Sequence, residues 1–167
     1  MFPIHCDIVI VGGSLGGCAA AIAACRAGKH VILTEETAWI GGQITSQGVS
    51  ALDEHEHIES FGGTASYYQL REAIRSYYPG RPQNPGNGWV SRLCFEPRAG
   101  LAALESMLQP FVTSGQLEIL TGCRPTAADV ENGIVRNVTV TYQNGSTQTI
   151  GGRYFLDATE LGDLLPL

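Results

Sequence analysis

The chain has 167 residues, 44% of them hydrophobic and 16% charged, with a formal net charge of −6. That is room for one core with at most a small satellite, and the acidic balance, with no run of Lys or Arg, argues against a nucleic-acid surface. No stretch of about 18 apolar residues offers a membrane span, no charged-then-apolar leader precedes the first strand, and five scattered cysteines form neither a C-x-x-C pair nor a zinc spacing, which together point to a reducing, cytoplasmic setting.

Asp7 to Glu36 is the stretch with the strongest pattern. Ile8-Val9-Ile10-Val11 is an uninterrupted apolar run and reads as a strand buried on both faces. A glycine-rich turn follows, then a run of small residues from Cys18 to Ala27 closed by Gly28, the mark of a helix with glycine just past its end. Cys18 and Cys25 share one face of it as small packing residues. Val31-Ile32-Leu33 is a second apolar run, ending at Thr34-Glu35-Glu36. Strand, tight turn, helix and strand make one βαβ unit.

The turn carries chemistry. A dinucleotide fingerprint asks for G-x-G-x-x-G between strand and helix, with an acid roughly 20 residues on. Gly12 and Gly17 fill the outer glycine positions, and Ser14 stands where the backbone approaches a pyrophosphate and glycine is usual. Serine is small, and its hydroxyl can itself meet a phosphate oxygen. The helix N-terminus behind the turn presents free N–H groups and partial positive charge. Glu35 closes the second strand, where a carboxylate accepts hydrogen bonds from ribose hydroxyls and repels a 2′-phosphate. The unit alone leaves FAD and NAD both open.

Ala38 to Gly48 is a loop in which Gly41-Gly42 can approach a ligand closely and Thr45 and Ser46 add hydroxyls. Asp53-Glu54-His55-Glu56-His57 reads as a solvated polar loop. In an extended segment His55 and His57 would point the same way; no further ligands are identifiable, so no metal site is assigned, and His55 is the weak candidate for an acid–base group. Thr64 to Tyr78 has Tyr67, Leu70, Ile74 and Tyr77 or Tyr78 at helical spacing, with Arg71, Glu72 and Arg75 on other faces. Pro79-Gly80 ends it. Pro82 to Gly88 is a surface loop, and Trp89 to Phe95 reads as a short strand. A helix is expected over Arg98 to Ser114, with Pro97 at its start and Leu101, Leu104 and Leu108 on one face.

Leu117-Glu118-Ile119-Leu120 reads as a parallel strand of the first sheet, and Gly122-Cys123 beyond it would face the adenine edge of a nucleotide. From Ala127 to Gly152 the period changes to that of strands. Asn132-Gly133 and Asn144-Gly145 are hairpin signals, so a three-stranded antiparallel meander is expected. It leads into Tyr154-Phe155-Leu156-Asp157-Ala158-Thr159, an apolar strand running into a small-residue turn, with a helix expected to begin at Gly162-Asp163.

This order resembles the two-dinucleotide-binding-domain flavoproteins of the glutathione reductase fold type. More closely, the strand with its Gly-Gly turn, the acid followed by Gly41-Gly42, Phe95-Glu96-Pro97 and the late D-A-T-x-x-G-D of Asp157 to Asp163 resemble an FAD-dependent oxidoreductase family. The fold implied is α/β: a Rossmann-like FAD/NAD(P)-binding βαβ domain with a parallel sheet and a three-stranded antiparallel β-meander. The resemblance implies one discontinuous FAD-binding domain over residues 1–167, with residues 44–97 inserted toward the substrate region and further chain completing the enzyme. It also implies a cofactor set of Gly12, Gly13, Ser14, Leu15 and Gly17 at the pyrophosphate, Glu35 and Glu36 at the adenosine ribose, and Gly41, Gly42 and Gln43 toward the flavin. Ala158 and Thr159 would pack beside the nucleotide and Asp163 near the phosphate or ribityl chain, although Asp157 to Asp163 also reads as ordinary turn capping. The activity implied is hydride transfer between FAD and a small organic substrate, without nucleic acid or membrane partners. The alternatives are an NAD-dependent dehydrogenase domain and a truncated, non-catalytic nucleotide-binding module.

Overall fold

In the computed structural model, which describes residues 3–167, the first apolar run forms β1 (Ile4–Val11) and the second β2 (Val31–Glu35). Helix α1 (Leu15–Arg26) joins them. Val9, Val11 and every residue of β2 are buried, as a strand covered on both faces requires. The two faces differ in what covers them. Ile10, Val31 and Leu33 point into a cluster with Cys18, Ala21 and Cys25 of α1. Val9, Val11 and Ile32 point the other way, against Val138, Val140 and Ile150.

Those last residues belong to the meander. Its strands are β4 (Cys123–Glu131), β5 (Ile134–Tyr142) and β6 (Thr147–Asp157), and β3 (Leu117–Thr121) precedes them. One six-stranded sheet results, in the order β3-β2-β1-β6-β5-β4. β3, β2, β1 and β6 are parallel neighbours, and β6–β5 and β5–β4 are antiparallel. The last meander strand and the returning strand, read separately in the sequence, are one: β6 pairs with β5 through Thr147–Gly151 and with β1 through Ile150–Asp157. The first meander strand also starts earlier than expected, at Cys123.

The two Asn-Gly signals make different turns. Asn132 and Gly133 both have positive φ, 52° and 75°, the two-residue turn whose twist matches the flanking strands. At Asn144-Gly145 only the glycine is left-handed, φ 83°. Tyr142 N–H closes on Ser146 O at 2.9 Å, and Asn144 Oδ1 accepts from Ser146 N–H, so the loop is longer and held by the asparagine side chain.

Helices α2 (Ala65–Ser76) and α3 (Pro97–Thr113) lie on the α1 side. Thr64 caps α2 by accepting from Tyr67 N–H at 3.2 Å, and Pro97 opens α3, where its missing N–H costs nothing. Leu104 and Leu108 are buried, with Ala99 and Ala103 beside them. Two expectations fail. Trp89–Phe95 is not a strand: only an isolated bridge joins Cys94 to Ala51, and Trp89 is 94% exposed. No helix begins at Gly162, whose φ of +73° is left-handed. Two successive turns run there instead, Leu165 N–H to Gly162 O and Leu167 N–H to Leu164 O. No helix of the described residues is long and apolar enough to cross a membrane.

Candidate functional site

The site lies where β1, β2 and β6 end together, at the open end of the parallel sheet, the place at which α/β sheets bind ligands. β1 runs out into Gly12, with φ +101°. A Cβ on Gly12 would collide with the carbonyl of Ala158, and one on Gly17 would collide with Gly12 O. Glycine at both positions therefore lets the first turn, the start of α1 and the end of β6 stack directly.

Ser14 is the N-cap of α1, its Oγ accepting from Gly17 N–H at 3.2 Å. The serine thus neutralises one of the free N–H groups at the helix start. The N–H of Leu15 faces Gly41 O across the isolated bridge between Ser14 and Gly41; that of Gly16 has no acceptor among the described residues, and the Ser14 hydroxyl proton remains free to donate.

Glu35 is 6% exposed and forms part of the cleft wall. Its Oε2 accepts from Gly13 N–H at 3.0 Å, and its Oε1 accepts from Thr37 N–H at 2.8 Å and Thr37 Oγ1 at 2.7 Å. A carboxylate has about four lone-pair sites, so one stays open for a ligand hydroxyl, on Oε2. Glu36 beside it is exposed and also lines the cleft.

The Gly-Gly loop crosses next to this turn. Gly41 N–H donates to Gly13 O at 2.6 Å, and Gly42 opens a 3-10 turn over Gly42–Ile44. Gly41 has φ +108°, and a Cβ on it would stand 2.6 Å from Thr45 Cγ2 and 2.8 Å from Leu104 Cδ1. The loop is thereby wedged between the first turn and α3. From the other side comes the D-A-T stretch. Asp157 Oδ1 accepts from Thr159 N–H at 3.0 Å and Thr159 Oγ1 at 2.7 Å, and Asp157 Oδ2 accepts from Leu164 N–H at 3.0 Å. Thr159 Oγ1 in turn accepts from Asp163 N–H at 2.7 Å. Asp157 and Thr159 spend their polar atoms on building this loop, the capping role that the sequence also allowed.

The cleft so formed brings together Gly12, Ser14, Glu35, Glu36, Gly42, Ala158, Thr159 and Asp163 from the expected set. It adds Thr34, Thr37, Gln47, Pro125 and Glu160, which sequence reasoning did not single out, and Ser46 and Cys123, which it did. Gly13, Leu15, Gly17 and Gly41 stand behind the wall as packing and turn residues, and Gln43 is exposed outside it. Four carboxylates line the cleft and no Lys or Arg does. Its attraction for an anion rests on the N-terminus of α1. Burial pushes the Cys123 thiol above its ordinary pKa, so this lining group is a neutral packing thiol.

His55 does not line the cleft. It sits on the inserted segment with Nδ1 accepting from His57 N–H at 3.1 Å, and its ring lies 5.9 Å from that of Phe61. The segment turns at residues 56–60 instead of running extended.

The inserted segment holds what the sequence concealed most. Arg71, expected on an outer face of α2, is 1% exposed. It pairs with Glu54, whose side chain is also 1% exposed, and with Glu59. Tyr67 Oη donates to Glu54 Oε1 at 2.7 Å, and Arg75 reaches Glu59 at 2.8 Å. Burial raises the Tyr67 phenol, reinforced by the Glu54 carboxylate it donates to. Desolvation pushes the Glu59 carboxyl up, but hydrogen bonds from Arg75 and Arg71 outweigh it and hold the pKa below the usual range. The loop taken as solvated is therefore anchored to α2 through a buried charge network.

Comparison with known proteins bears on what the cleft holds. Among curated proteins none matches the sequence. Solved structures share the fold. A flavoprotein/dehydrogenase from Cytophaga hutchinsonii superimposes with a TM-score of 0.62 at 16% identity, covering 97% of this chain and 41% of its own. The Mycobacterium smegmatis protein Sdh1, solved in complex with UQ1, gives 0.61 at 12% identity, with coverages of 95% and 34%. The myxobacterial chondrochloren halogenase CndH, described as a variant of FAD-dependent halogenases, gives 0.57 at 16% identity, with coverages of 94% and 38%. The chain thus spans between 34% and 41% of the length of these three. At such identities the likeness establishes the fold alone, a Rossmann-like α/β architecture. The sequence pattern of the FAD-dependent oxidoreductases, however, matches residues 7–167, nearly the whole chain, and the chain belongs to the FAD-dependent oxidoreductase family, with FAD as its cofactor.

Proposed function

We propose that the cleft at the ends of β1, β2 and β6 holds the ADP half of FAD, and that in the complete enzyme the flavin exchanges a hydride with a small organic substrate. The observation carrying this is the pairing of two unsatisfied features at neighbouring strand ends of one cleft. The Gly16 N–H lacks an acceptor at the start of α1, and Glu35, held by Gly13 and Thr37, keeps an acceptor site open at the end of β2. One suits a pyrophosphate and the other a ribose hydroxyl. Glycine at positions 12 and 17 lets the first turn, α1 and the end of β6 close on one another into this cradle, and glycine at 42 keeps the space between Ser14 and Glu160 clear.

In this reading Ser14 donates its hydroxyl proton to a phosphate oxygen while still capping α1. Glu35 orients the adenosine ribose and disfavours a 2′-phosphate. Gly41, Gly42 and Gln43 lead the cofactor toward the inserted segment, and Asp157 and Thr159 hold the far wall in place. The isoalloxazine, when bound, supplies the electron-accepting chemistry; the chain supplies binding and orientation. No acid–base residue is assigned.

The test is a titration of the cofactor-free chain with FAD, ADP and NAD, followed by visible absorption and calorimetry. FAD binding that ADP competes away supports the reading. Binding of NAD without FAD, or of neither FAD nor ADP, overturns it.

A further inference from the structure

Glu160 and Asp163 are the residues of the D-A-T loop whose carboxylates line the cleft without a partner, and Glu160 is the one that reaches the Gly-Gly loop. It is exposed and makes no hydrogen bond among the described residues, yet it lines the cleft that Ser14 and Gly42 form. A Cβ on Gly42 would stand 2.5 Å from Glu160 Oε1 and 3.2 Å from Ser14 Cα. The carboxylate therefore reaches across the cleft to the point where the Gly-Gly loop meets the first turn. Its position is not left to the side chain alone. The loop on either side is pinned by Asp157 to Thr159 and Leu164 and by Thr159 to Asp163.

We infer that Glu160 is a charge gate on the cradle: its carboxylate stands unpaired where Gly42 meets the first turn, and any phosphate that enters the cleft must meet its repulsion or swing it aside. The inference rests on the assignment of the cleft to an adenine dinucleotide. The physical reason is competition. A helix N-terminus favours a negative group beside it, one of its donors already serves Ser14, and no Lys or Arg lines the cleft to hold two anions together. Glu35, Glu36 and Asp163 add to the repulsion. A ligand that brings only adenosine and phosphates gains little beyond the contacts it must fight for. FAD brings a second half that makes contacts elsewhere, and so overcomes the gate. Glu160 thereby favours the dinucleotide and weakens the hold of an empty site on free ADP and ATP.

The experiment is calorimetric titration of ADP, ATP and FAD into the wild-type chain, Glu160→Gln, Glu160→Lys and, as a control for net charge, Glu118→Gln on the exposed face of β3. Removing one nearby, partly screened charge is expected to tighten ADP by about fivefold. The gain should be larger for ATP, smaller for FAD, and larger again in Glu160→Lys. Raising the salt from about 50 mM to about 500 mM should shrink the gain. Thermal melting of the cofactor-free variants checks folding, and no change is expected for a side chain without partners. If the wild type binds ADP and FAD but Glu160→Gln binds ADP no tighter, or Glu118→Gln gains as much, the gate falls and the cofactor assignment stands. If Glu160→Gln weakens FAD alone, the residue is an acceptor for cofactor hydroxyls and the gate is overturned. If none of the variants binds an adenine nucleotide, the assignment of the cleft falls and takes the gate with it.

Discussion

Replacing Glu35 by Gln keeps the shape of the side chain while changing one oxygen to an NH2 group and removing one of the negative charges of the cleft, which makes it the sharpest probe of the site. The carboxylate faces Gly13 N–H on one oxygen and, on the other, Thr37 N–H together with the Thr37 hydroxyl, whose one proton is shared between Glu35 Oε1 and Trp39 O. A glutamine has one acceptor oxygen with two lone pairs. It can satisfy the two Thr37 donors or the Gly13 N–H, not all three. The amide will turn its oxygen to Thr37, leaving its own N–H facing that of Gly13. One buried donor then goes unpaired, at a cost of about 1–3 kcal/mol to the cofactor-free fold. The open acceptor site on Oε2 is lost in the same step. A hydrogen bond to a charged group contributes about 1.5–3 kcal/mol, so losing it should weaken adenosine ligands roughly 10- to 150-fold, less about fivefold that the phosphates regain when the charge goes.

The two effects separate in a cycle that pairs the variant with a change in the ligand. Urea melting of the cofactor-free chain reads the first. For the second, ADP and 2′,3′-dideoxy-ADP are titrated into wild type and Glu35→Gln. The wild type should prefer ADP, and the variant should bind the two alike. An equal loss for both ligands would mean that Glu35 acts only by holding Gly13 in place, and the ribose assignment would be refuted.

Ser14→Gly restores glycine at the centre of the fingerprint and frees Gly17 N–H from its cap. Stability should fall by only a few tenths of a kcal/mol, while FAD binding holds or improves; a tenfold loss of FAD affinity would show the hydroxyl to be an essential ligand. Arg71→Met strands the buried Glu54 carboxylate and should cost about 3–5 kcal/mol in urea melting, whereas Glu54→Gln combined with Arg71→Met should recover much of it; a single variant within about 1 kcal/mol of wild type would remove the network from any structural role. Burial drives the Cys18 thiol, close to Glu35, up to about 12 and the Cys6 thiol up to about 11. In the unfolded chain both ionise near their ordinary value, so the unfolded state loses protons first as the pH rises. Stability should be flat below about pH 8 and fall from about pH 9 toward 12, read as the urea midpoint against pH; a rise over that range would contradict the burial of these thiols.

The first βαβ unit is legible because every signal in it is local. A strand buried on both faces shows as an unbroken apolar run, a helix lying on it as small residues, and the turn as glycines. The two faces of β1 take different partners, α1 on one side and the meander on the other, but both are apolar, so the run reads the same whatever covers it. The meander was legible through its Asn-Gly turns, while the fusion of its last strand with the returning one was not. Gly151 and Gly152 look like a break, yet both sit inside β6, at the point where it leaves β5 and continues on β1.

Charged residues were harder to read, and for one reason. Glu54 and Arg71 lie in polar surroundings in the sequence, and a solvated face is the ordinary meaning of such a pattern. What buries them is the partner each finds on another element, and pairing across elements leaves no periodic trace. The D-A-T loop poses the same problem at shorter range. Asp157, Thr159, Glu160 and Asp163 are all residues that can either cap a turn or meet a ligand. The structure separates them by what remains after the turn is built. Asp157 and the Thr159 hydroxyl are consumed within the loop. The carboxylates of Glu160 and Asp163 are left facing the cleft. A site of this kind is legible in the sequence as a stretch, and in the fold as the polar atoms that the stretch does not use on itself.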